Sequence, residues 1–85
     1  MCYVYILLSE KDGKLYTGST GDLQKRFKEH NQGYVESTKH RRPFRLIYYE
    51  ACLNEADAFQ REKYLKSGMG KKYIKNRIKN YLQDL

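Results

Sequence analysis

Residues Tyr3–His30, YVYILLSEKDGKLYTGSTGDLQKRFKEH, decide the fold. Tyr3–Leu8 is rich in aromatic and β-branched side chains with no polar face, the pattern of a strand buried on both sides. Glu10-Lys11-Asp12-Gly13 has turn chemistry, with Gly13 suited to a positive φ. Leu15–Ser19 then returns as an antiparallel partner, making a hairpin. Gly18 weakens that second strand and marks a place where another backbone or a bound group comes close. Thr20-Gly21-Asp22 starts a helix, with Thr20 or Asp22 as its cap. Along that helix Leu23 and Phe27 face the sheet. Arg26 and His30, four residues apart, share a flank at the boundary of core and solvent. Gly33 stops the helix.

Beyond His30 the pattern is simpler. Tyr34 to Arg42 reads as a polar, solvated loop carrying Lys39, His40, Arg41 and Arg42. Pro43 precedes a third strand, Phe44–Cys52, in which Leu46, Tyr48 and Glu50 alternate with Ile47, Tyr49 and Ala51. Asn54 followed by Asp57 opens a second helix, a cap plus an acidic first turn, running to about Lys66. Ser67-Gly68-Met69-Gly70 breaks it. A third helix, Lys71–Leu82, carries a stripe of Tyr73 or Ile74, Ile78, and Tyr81 or Leu82. The expected fold is α+β, a three-stranded, mainly antiparallel sheet flanked by three helices. Residues 1–85 should form one domain, since so short a chain has no room for a second core.

A net charge of +7 makes a polyanion the natural partner, nucleic acid first among them. From Arg61 to Asn80 every charged residue but Glu62 is basic, including Lys71, Lys72 and Lys75. With Lys39, Arg41 and Arg42 these could follow phosphates on either side of a site. Cys2 and Cys52 are too few and too far apart for a metal motif. The opening apolar run is too short for a signal peptide or a membrane span, so reduced thiols and a cytoplasmic location are expected, with no membrane contact.

Glu62 stands out against this basic background. It lies four residues after Ala58, three after Phe59 and three before Leu65, so it projects from the stripe facing the core. An ionised carboxylate there needs a partner from another element. Arg26, a tyrosine hydroxyl or a metal ion could each serve. A structural ion pair with Arg26 at the core edge meets the need without any chemistry.

Tyr3-Val4-Tyr5, Tyr16-Thr17-Gly18, Arg26 with His30, and Glu62 together resemble the GIY-YIG nuclease domain, especially its small standalone bacterial members. The resemblance runs from Tyr3 to about Leu82, and it departs from the motif name at Tyr3 and Thr17, both strand positions. It implies a three-stranded antiparallel sheet flanked by helices and phosphodiester hydrolysis in DNA. It implies Tyr5 and Tyr16 as the motif tyrosines, Arg26 as the catalytic arginine, His30 as an assistant, and Glu62 as the carboxylate holding Mg²⁺ or Mn²⁺. Of the two phenols, Tyr5 is the favoured base, with Tyr16 positioning the phosphate. Many members add an asparagine on the last helix, for which Asn76 and Asn80 are available. With no base-reading motif, structure-selective or non-specific cutting is expected, and targeting could fall to a protein partner. The alternative is a nucleic-acid-binding module whose nuclease site is vestigial or depends on a partner.

Overall fold

The computed structural model describes all 85 residues, Met1–Leu85. Three strands, β1 (Cys2–Ser9), β2 (Leu15–Thr20) and β3 (Phe44–Cys52), form an antiparallel sheet in the order β2-β1-β3. β1 takes the centre because it alone is apolar on both faces, with every residue from Val4 to Leu8 buried. Side chains alternate along it. Tyr5 and Leu7 pack with Phe44 on one face, beneath helix α1 (Leu23–Gln32). Val4 and Ile6 pack on the other with Ala58 of α2 (Glu55–Lys66), Leu65 of the same helix and Ile74 of α3 (Gly68–Arg77).

Local chemistry fixes the connections. The β1–β2 turn closes on Ser9, whose hydroxyl accepts from the Lys11 and Asp12 amides at 3.2 and 3.1 Å and donates to the Arg41 carbonyl at 2.6 Å. Gly13 has φ +72°, as its place in the turn requires. Asp22 caps α1 by accepting from the Lys25 amide, and Gly33 ends it in the left-handed region. Asn54 caps α2 through the Ala56 and Asp57 amides. Arg61 ties α2 to β3, forking onto Glu50 at 2.8 and 3.0 Å while its plane covers the rings of Tyr64 and Tyr73.

Four features differ from the sequence reading. Ser67-Gly68-Met69-Gly70 is the cap and first turn of α3, because the Ser67 hydroxyl accepts from the Gly70 amide at 3.2 Å. The final helix is interrupted at Ile78, giving a short α4 (Lys79–Gln83). The segment from Tyr34 to Arg42 is anchored, burying Val35 and Thr38 before a 3-10 turn at Lys39–Arg41. Phe59 is 56% exposed, since α2 buries only Ala58 and Leu65, a stripe too narrow to include it. Cys2 and Cys52 are free, half-buried and directly opposite one another across β1 and β3. No helix is long and apolar enough to cross a membrane.

Candidate active site at the outer strand

β2 is an outer strand, and the singled-out side chains gather about its Gly18–Ser19 segment from both faces of the sheet. Gly18 lies opposite Tyr5, whose hydroxyl fills the space a side chain would need. A Cβ at Gly18 would stand 2.5 Å from that oxygen. This is the close approach that the strand glycine foretold, and the approaching group is the phenol itself.

Behind Tyr5 lies a chain of buried polar groups. The Tyr5 hydroxyl is 2.8 Å from Nε2 of His30, and Nδ1 of His30 is 2.8 Å from the Thr38 hydroxyl. Thr38 in turn donates to the Val35 carbonyl. With the threonine proton so committed, Nδ1 carries the ring hydrogen and Nε2 accepts from Tyr5. His30 was expected at the edge of the core, yet it is fully buried. The signal was present: Leu23, Phe27 and His30 stand at i, i+4 and i+7, one continuous stripe. Burial, helped by the charge of Arg26, pushes the imidazole down to about 4, so it is neutral near pH 7. No solvent-exposed atom of His30 remains to meet a phosphate directly.

Tyr5 is itself 1% exposed. Burial raises its phenol to about 12; the neighbouring Arg26 opposes that rise, while Tyr16 and Glu62 add to it. A phenol so raised is a poor base at neutral pH. Its geometry suits a different task, because the oxygen is buried and donates to His30. Arg26 is half-buried and held by Glu29 at 3.3 Å. Tyr16 packs its ring 5.1 Å from that of His30. Every buried side-chain polar atom has a partner. The Tyr16 hydroxyl has none, and it is therefore open to solvent.

Glu62 reaches the same segment from the opposite face. Its side chain is only 14% exposed, with Oε1 accepting from the Ser19 hydroxyl at 2.5 Å and Oε2 paired with Lys66 at 2.6 Å. Its partners are thus a serine of β2 and a lysine one turn along α2, where the sequence suggests Arg26, a tyrosine or a metal. Ser19 was missed because nothing in the local sequence links it to a helix more than forty residues away. The carboxylate still belongs to the group, since Ser19, its partner, adjoins Gly18 on β2. Beside it Ser19, Gly21, Lys25, Arg26 and Glu29 line a recess of about 420 Å³.

No set of three His, Cys, Asp or Glu side chains comes together to hold a metal. One carboxylate and one hydroxyl fit Mg²⁺ or Mn²⁺ only when phosphate oxygens and waters complete the shell, a mode in which Mg²⁺ is commonly bound. The basic residues divide into two sets. Lys39 pairs with Glu36 at 3.2 Å, Arg41 with Asp12 at 2.7 Å, and Arg42 donates to the Lys39 carbonyl. Lys71, Lys72 and Lys75 are exposed and make no ion pair, and Lys71 and Lys75 join Lys14, Thr17 and Leu65 in lining a groove of about 380 Å³. Asn76 and Asn80 are exposed and bond to none of the site residues.

Residues 1–75 match the family model for the GIY-YIG catalytic domain. The chain is 48% identical over 67 residues to a UPF0213 protein of Clostridium perfringens, covering 78% of this chain and 71% of the relative. It is 40% identical over 74 residues to one of Staphylococcus saprophyticus, covering 86% and 89%. The solution NMR structure of a UPF0213 protein from Bacillus halodurans is similar at a TM-score of 0.53 and 38% identity, over 87% of this chain and 82% of that one. These names carry no activity, but the matched span takes in all three strands and each side chain gathered at Gly18 and Ser19. On that footing the chain belongs to the GIY-YIG catalytic-domain family.

Proposed function

We propose that the outer strand β2 is the place where the chain binds the phosphate backbone of nucleic acid, DNA foremost, and hydrolyses it with a divalent cation. The observation that supports this is the convergence on two adjacent residues of β2, with Tyr5 packed against Gly18, Glu62 bonded to Ser19, and Arg26 sharing a recess with Ser19. Glu62 and the Ser19 hydroxyl are the protein groups that would hold Mg²⁺ or Mn²⁺, with Lys66 displaced. The cation, when bound, supplies charge stabilisation at the phosphoryl and leaving oxygens.

The remaining roles fall to the chain. Arg26 donates to a non-bridging oxygen of the scissile phosphate, its guanidinium aimed by Glu29. Tyr5, His30 and Thr38 are positioning residues that hold α1, the helix carrying Arg26, against the sheet through His30. Tyr16 offers the open phenol. It orients the attacking water and relays one of its protons to bulk solvent as the new P–O bond forms and the bond to the departing oxygen breaks. That oxygen takes a proton back from solvent. Lys14, Lys71 and Lys75 line a groove that accommodates the flanking backbone.

A second reading has its own observation. Both carboxylate oxygens of Glu62 are already engaged, which suits a binding module whose cutting site is vestigial or is completed by a partner protein. One experiment separates the two. Branched, nicked and duplex DNA are incubated with Mg²⁺ or Mn²⁺ and the wild type, Glu62→Gln or Arg26→Ala. Hydrolysis predicts a loss of about 10²–10³ in rate for each variant. Equal activity in all three proteins identifies a contaminant, and salt-dependent binding without turnover leaves the binding module.

A further inference from the structure

Phe59 remains unexplained by the fold. It is an aromatic ring on α2, more than half exposed, and it sits three residues before Glu62, on the neighbouring turn of one helix flank. The ring borders a cleft of about 640 Å³ whose walls include Cys2, Ser19, Thr20, Ala56 and Ala58. Ser19 is the residue that grips Glu62, so cleft and carboxylate share a wall. The Lys63 ammonium lies 5.5 Å from the ring centre and brings positive charge to the cleft mouth. The lysine-lined groove opens on the same face of the sheet, beside Leu15 and Thr17. Along β2 the order is therefore basic groove, Glu62 at Ser19, then aromatic cleft.

We propose that this cleft takes an unstacked nucleobase next to the bound phosphate, with Phe59 as its stacking platform, so that the preferred substrate carries single-stranded or splayed nucleotides at the site. The inference rests on the reading of β2 as a phosphate-binding edge, and it adds the substrate class. The cleft is far larger than one base, while Ala56, Ala58 and Cys2 give it an apolar side and Ser19 and Thr20 supply hydroxyls for base edges. A base inside a duplex is stacked on both faces and cannot offer one to Phe59. An extruded or single-stranded base can, and stacking tolerates any base because each has a π-face. Lys63 sets one positive charge beside the ring, while Glu55 stands in the cleft wall and Lys66 is paired with Glu62. The phosphates are therefore met by the lysine-lined groove farther along β2 on the same face.

The test reads binding alone, in EDTA, so it does not depend on cleavage. Fluorescence anisotropy is measured with labelled oligo-dT, oligo-rU and a blunt DNA hairpin for the wild type, Phe59→Ala and Phe59→Trp, with circular dichroism to confirm folding. The exposed ring makes both variants safe for the fold. The expected result is a loss of roughly tenfold or more for Phe59→Ala on the single strands and under about twofold on the hairpin, with Phe59→Trp at wild-type affinity or better. A loss restricted to dT or to rU supports the cleft and tells which of the two strands it accepts. Equal losses on strand and hairpin, no loss at all, or no binding to either overturn the proposal. A chain that binds single strands through Phe59 but cuts nothing upholds this inference while the hydrolytic reading fails. The reverse result sinks only the cleft.

Discussion

The two faces of the sheet are built on different physics. Under α2 and α3, Val4, Ile6, Ala58, Leu65 and Ile74 make an aliphatic core that needs no polar partner. Under α1 the same strand contributes Tyr5, and the interior beneath it is a hydrogen-bonded chain through His30 and Thr38, edged by Tyr16 and Phe44. One face is held chiefly by burial, its ion pairs, Arg61 with Glu50 and Lys66 with Glu62, lying at its margin. The other depends on a neutral imidazole and on every donor finding its acceptor. A strand with alternating side chains lets one sequence serve both ends, an aliphatic core on one side and a buried hydrogen-bonded chain on the other.

The largest effect should come from the aliphatic face. Leu65→Ala is expected to lower the unfolding free energy by about 2–5 kcal/mol, by the same amount at pH 7 and pH 5. Chemical denaturation at both values checks this, and a loss that grew on acidification would show that the faces are not separate. The polar face should show its difference through pH. The native His30 titrates near 4 and the unfolded one near its ordinary 6.5. Between those values the unfolded chain takes up a proton that the native state refuses, so stability is full above 6.5 and falls as pH drops toward 4. The total is up to about 3 kcal/mol. A His30→Gln variant, less stable at neutral pH, should be flatter over this window. A slope unchanged by the substitution would place its origin elsewhere.

Gly18→Ala touches the seam between the faces. The new methyl must displace the Tyr5 hydroxyl, so a cost of about 1–3 kcal/mol is expected, together with loss of the His30 bond. In NMR, a His30 ring signal that stayed put in this variant would contradict the close approach. The smallest effect belongs to the surface. Replacing Lys71 and Lys75 by alanine should reduce the salt dependence of duplex DNA binding by roughly 0.9 in log–log slope for each phosphate no longer neutralised. The same exchange at Lys39 and Arg41, already paired with Glu36 and Asp12, should change it less.

Much of this could be read along the chain. The strands followed from short apolar runs bounded by turn residues, and Gly13, Gly33 and Asn54 stood where turn and cap chemistry requires them. The candidate residues were legible as residue types in order, and the fold brings Tyr5, Arg26 and Glu62 to β2, which itself carries Tyr16. The wiring between them was not. Thr38 lies in a segment with the composition of a solvated loop, and only packing against His30 shows why it is buried. Ser19 was hidden because its partner comes from a distant helix. Phe59 was assigned to the core because helical spacing fixes a residue's direction, while the width of the covering surface decides whether anything meets it.

The central placement of β1 also bears on biosynthesis. Its hairpin partner follows within a few residues, but its second neighbour begins only at Phe44. During translation at about 5–20 residues per second, one margin of the most apolar segment stays unpaired for seconds. The nascent chain therefore offers chaperones, or other nascent chains, a sticky ribbon until Phe44–Cys52 has left the exit tunnel.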